Sequence, residues 1–166
     1  MTRPAVELEG KAMIRTVIAT SLLAAGFVAA LAQSDPIAER KELMSLNGKA
    51  FYGDLNRMVR GQAPYDQAKV DAAFAQLLTS AKTFTSLYPD NAKPGATTSA
   101  SPEDKYSASP KVWENKADFE AKNADLLKAV TSVRGNVKDL DSLKRAFADV
   151  SNACDACHET YRLRAN

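Results

Sequence analysis

The sequence predicts an all-α fold, an antiparallel four-helix bundle with its chemistry on the last helix. Three observations carry this: four stretches with apolar residues at helical spacing, Gly/Pro-rich or capping connections between them, and no stretch of strand-like alternation. In the first stretch, Ile37, Arg40, Leu43, Met44, Ala50, Phe51, Leu55 and Met58 fall largely three and four residues apart, so one face is buried. That helix ends near Gly61, where Gly61, Pro64 and Asp66 combine a helix stop, a turn and a cap for the next helix. Gly48 and Gly53 lie inside it, each costing about 1 kcal/mol relative to Ala, which close approach of another backbone would explain.

The second stripe, Val70, Phe74, Leu77, Ala81, Phe84 and Leu87, predicts a helix over about 67–87, ended by Tyr88 and Pro89. Residues 90–110 are rich in Pro, Gly, Ser, Thr and Ala without periodicity and read as a long connection. Ser109 and Pro110 then open a third helix, through Val112, Trp113, Ala117, Ala124, Leu127 and Val130, which Gly135 or the pair Lys138 and Asp139 closes. The fourth stripe is Leu140, Leu143, Phe147, Val150, Cys154, Cys157 and Tyr161, in a segment without Gly or Pro. Helices of this length are about 30 Å long, and the short first and third turns favour antiparallel neighbours.

Composition agrees with one globular domain. Of 166 residues 45% are hydrophobic and 25% charged, with only 7 Gly and 7 Pro, which excludes disordered and collagen-like classes. A net charge of +2, evenly spread, gives no nucleic-acid footprint. Residues 1–32 read as a signal peptide: Arg15, then an apolar run, then Ala30, Leu31 and Ala32 as the cleavage site before Gln33. The run is shorter than the roughly 20 residues of a spanning helix, so no membrane association is expected after its removal. Glu7 and Glu9 are unlike an n-region, and Met13 is an alternative start. The expected domain is 33–166.

The chemistry lies in Cys154-Asp155-Ala156-Cys157-His158, the CxxCH pattern of covalent haem attachment. On a helix, Cys154, Cys157 and His158 share one stripe, so two thiols can add to the two vinyl groups of one haem c while the imidazole approaches its iron. Three other readings compete. Structural zinc needs about four Cys or His ligands, and the chain has two Cys and one His. A redox CxxC belongs near a strand in an α/β setting, and a plain structural disulfide is the third alternative. Export favours haem, because c-type haem is attached outside the cytoplasm. With His158 the sole histidine, the sixth iron position falls to methionine, water or nothing. Past the leader only Met44 and Met58 remain, and a buried Met is usually core.

With these residues the chain resembles the class II cytochromes c, the cytochrome c-prime family, over nearly all of 33–166. The likeness lies in residues 37–41, 61–66, 109–113 and 154–162, and in CxxCH lying on the last helix of a bundle. The segments 43–48 and 104–110 are similar to the low-spin branch, in which a methionine of the first helix binds iron. That resemblance implies Met44 and His158 as axial ligands, with Met44 as a packing residue being what the high-spin branch implies. It further implies Arg40 and Lys41 at the haem and its propionates, and Arg162 over the proximal imidazole.

Function follows from the same resemblance. It implies a periplasmic electron carrier of a Gram-negative bacterium, not an enzyme, working with a redox partner protein that the sequence does not identify. No carboxylate pair, nucleophile with a base, or distal histidine accompanies the motif. The alternative is a five-coordinate protein that binds nitric oxide or carbon monoxide. Dimers of the family pack through the first two helices, which makes a homodimer an implied partner.

Overall fold

The computed structural model describes residues 35–93 and 107–163. The expected leader, residues 94–106 of the long connection and the likeness at 104–106 lie outside the described residues. The first rod comprises α1 (Pro36–Asn47), a π-helical segment (Gly48–Leu55) and α2 (Asn56–Val59). The second is α3 (Gln67–Thr83), extended by a 3-10 turn over Phe84–Leu87. The third is α4 (Lys111–Glu114) followed by α5 (Lys116–Val133), and the fourth is α6 (Leu140–Tyr161).

Local chemistry sets these ends. Asp35 accepts from the Ile37 amide ahead of Pro36 in the first turn of α1. Gly61, at φ 71°, ends α2 in a Schellman turn, its amide donating to Met58 O at 3.0 Å and that of Gln62 to Arg57 O at 2.7 Å. Asp66 accepts from Lys69 N and starts α3. Asp139 and Ser142 cap each other's backbone at the start of α6, a reciprocal capping box.

The rods pack in a ring. The π segment and α1 lie against α3, α3 against α5, α5 against α6, and α6 against α2. Each rod therefore buries one stripe between two neighbours, which is the four-helix bundle that the periodicity predicts. The end of α6 is tied to the segment before α4 by an antiparallel bridge between Ala108 and Arg162, in which Ser109 N donates to Tyr161 O at 2.9 Å and Leu163 N to Ser107 O at 2.9 Å.

Three details differ from the sequence reading. The first helix is not uniformly α. Its two glycines fall in the π segment, and close backbone approach does not account for them: a Cβ at Gly48 would meet nothing within 4 Å, and one at Gly53 would meet Gly48 O at 3.9 Å and Lys49 Cγ at 4.0 Å, both ordinary contacts. The third helix breaks at Asn115 (φ −132°, ψ 56°). Its buried face runs through Phe119 and Val130, with Asn123 and Leu126 half-buried, whereas Ala117 and Ala124 are exposed. Small apolar residues tolerate either face, so spacing alone misplaced the stripe.

Candidate haem site

The bundle core is in two parts. One cluster gathers Phe51, Leu55, Phe74, Leu77, Val130, Leu143 and Val150, and the other Phe84, Leu87, Tyr88, Val112, Phe119 and Tyr161. Between them lies a cavity of ≈ 620 Å³, with Phe51 and Leu77 from the first cluster and Tyr88, Phe119 and Tyr161 from the second in its wall. Ligand cavities run roughly 300–1,000 Å³. Its wall is mainly apolar, which suits a large apolar occupant better than water. A hole of this size is built for an occupant.

Helix α6 brings the motif to this wall. Cys154, Cys157 and His158 all line the cavity. Cys154 packs against one core cluster and Cys157 against the other, so the two thiols straddle the gap. No disulfide joins them. Burial pushes the Cys154 thiol up to about 12 and the Cys157 thiol up to about 11. This is opposite to the lowered thiol that a redox CxxC uses. Burial and, next, the Arg162 guanidinium lower His158, against Asp155, and so favour the neutral imidazole that a metal requires.

Of the other expected residues, Met44 and Arg162 lie on the same wall, whereas Arg40 and Lys41 do not. Arg40 is 2% exposed and stands one layer back. Its guanidinium lies 4.7 Å from the ring centre of Tyr88 and 5.6 Å from that of Trp113, and donates to Leu87 O at 3.3 Å and Ala92 O at 3.5 Å. Its Nε is buried with no partner among the described residues, and burial lowers its pKa. Lys41 is half-buried on α1.

Sequence reasoning missed the residues that give the cavity its electrostatic character. Lys49 and Lys122 border it with Arg162, and among the described residues no Asp or Glu does. Apolar walls edged by cations suit an amphipathic anion, and a porphyrin carrying two propionates is one. A buried pair, Asn47 and Ser80, also faces the cavity. Lys122 follows Phe119 by three residues and precedes Leu126 by four, so a correctly placed stripe on α5 would have found it. The residues present therefore fit haem: two thiols and an imidazole on one helix face, a methionine on α1, apolar walls and a cationic rim.

A bundle whose last helix turns CxxCH toward such a cavity defines a covalent haem protein. The family model for Cytochrome C' matches residues 35–162, and the chain belongs to that family. Its cofactor is haem c, the covalently held haem of that family. Among similar proteins, cytochrome c-556 of Rhodopseudomonas palustris is 40% identical over 151 residues, covering 90% of this chain and 97% of its own. Cytochrome c' of the same organism is 34% identical, covering 93% and 98%. The solved structure of oxidised R. palustris cytochrome c556 superposes with a TM-score of 0.70 at 38% identity, over 81% of this chain and all of the other.

Proposed function

We propose that this protein is a one-electron carrier in the periplasm. In this reading Cys154 and Cys157 hold the haem by two thioethers, and His158 and Met44 are the axial ligands of its iron. Lys49 and Lys122 face the propionates, Arg162 covers the proximal imidazole of His158, and Arg40 and Lys41 add positive charge from α1 behind the wall. The observation that carries the proposal is that Met44, from the first rod, lines the same cavity as Cys154, Cys157 and His158 from the last. The haem supplies the ferric/ferrous couple. The chain's own residues fix its orientation, exclude water and set the charge around it.

The 40% identical c-556 relative supports methionine ligation, which keeps coordination similar in both oxidation states. The 34% identical cytochrome c' relative favours a second reading, a vacant sixth position that takes nitric oxide or carbon monoxide. Optical and magnetic-resonance spectra of the holoprotein decide between them. A low-spin spectrum with a methionine-to-iron charge-transfer band, lost in Met44→Ala, and a ferrous form unresponsive to carbon monoxide are expected. A high-spin spectrum that shifts with carbon monoxide would make Met44 a steric gate and overturn the first reading. Periplasmic export is tested by cell fractionation and intact mass, with a mature chain starting at Gln33 as the expected result.

A further inference from the structure

Asn47 ends α1 three residues after Met44, on the same side of the helix, and both line the cavity. It is 8% exposed. Two groups from α3 orient its carboxamide. Gln76 Nε2 donates to Ser80 Oγ at 3.1 Å, which leaves the Ser80 hydroxyl proton to donate to Asn47 Oδ1 at 2.8 Å. Gln76 Nε2 lies 3.4 Å from the same oxygen. Because a carboxamide has one acceptor end and one donor end, donors converging on Oδ1 fix its polarity. The donor end, Nδ2, makes no hydrogen bond to another described residue and, unlike Arg40 Nε, is not sealed in the core, so it is free to donate to a group in the cavity.

Gly48, the residue after Asn47, also lines the wall, and a Cβ there would meet nothing within 4 Å, so no side chain at that position screens Asn47 from the cavity. We propose that Asn47, held by Ser80 and Gln76, is the distal hydrogen-bond donor of the haem pocket, offering Nδ2–H to the atom at the sixth position of the iron. This rests on the reading that places the haem between Met44 and His158. A donor there draws electron density from a methionine sulfur, which favours the ferrous state. When methionine is displaced, it stabilises negative charge on a bound diatomic ligand.

The test compares ferrous holoprotein of Met44→Ala with Met44→Ala/Asn47→Val, using carbon monoxide as the probe and its stretching frequency as the readout. A hydrogen bond to the carbon monoxide oxygen lowers the C–O stretch. The double variant is therefore expected at higher wavenumber, with Met44→Ala/Ser80→Ala shifted the same way by a smaller amount. In the Met44 background, Asn47→Val alone is expected to lower the reduction potential while the charge-transfer band is kept. An equal stretch in the single and double variants would overturn the role of Asn47. If Met44→Ala left the haem spectrum of the parent protein unchanged, the placement of the haem beside Met44 would fall, and this inference with it.

Discussion

At the scale of single residues, the motif is the firmest handle on the site, because each of its side chains has a separable job. Cys154→Ala with Cys157→Ala is expected to abolish covalent attachment, seen as loss of haem stain from the protein band in denaturing electrophoresis. Haem that stayed on the double variant would refute the attachment site. Tyr161 makes a different contribution. Its hydroxyl donates to Asp118 Oδ2 at 2.5 Å, and burial pushes its pKa up to about 12, so it remains a donor at any ordinary pH. Tyr161→Phe is expected to cost about 1–3 kcal/mol in urea unfolding, because Asp118 loses its partner. The sequence shows the motif plainly, since its spacing is chemical, and it offers Met44 through the resemblance of residues 43–48 to the low-spin branch. It hides Lys49, Lys122 and Asn47, whose types are common on surfaces and whose meaning comes only from the cavity they border.

Helix ends and windings belong to the next scale. Removing the cap of α3 with Asp66→Ala is expected to lower stability by about 1 kcal/mol, read as a shift of the denaturation midpoint at unchanged slope. The capping box of α6 makes a pH prediction. Hydrogen bonds from the Ser142 side chain and backbone lower the pKa of Asp139 in the folded protein. Its contribution is therefore complete above the ordinary carboxylate range and is lost as pH falls through the depressed value. Asp139→Ala should flatten that part of the acid-unfolding curve, and an unaltered curve would show that the box is idle. The Gly61 and Asp66 signals were legible because they act on their own neighbours. The Asn115 break and the π winding were not: Val112, Trp113 and Ala117 keep helical spacing across the break, and an apolar stripe does not report how many residues close each turn.

For the whole molecule, the two-part core makes the cofactor a structural component. Four apolar stripes were enough to specify the bundle, but they could not show that the clusters stop short of each other, because both belong to the same stripes. Protein made without haem attachment is expected to keep its helical far-UV signal while losing near-UV signal and a large part of its stability to urea. Hydrogen exchange should then be uneven. Amides around Val70, Phe74 and Val150, in the larger cluster, are expected to stay protected longer than those around Val112 and Phe119. Equal protection in the two regions would mean that they fold as one unit without the cofactor.

The π segment has a consequence for insertions and deletions. Turns closed by i→i+5 bonds hold an extra residue, so Gly48–Leu55 absorbs length that an α-helix would turn into rotation. One residue deleted within α1 or α2 swings one end of the rod by roughly 100° relative to the other. One residue deleted within the segment can instead be taken up by tightening the winding to α. Deleting Gly53 is therefore expected to leave Met44 on its wall and the methionine band intact, whereas deleting Ser45 turns everything upstream, Met44 included, away from the cavity. The first rod carries a slack link, and the chemistry at its upstream end survives a change of length only where that link lies.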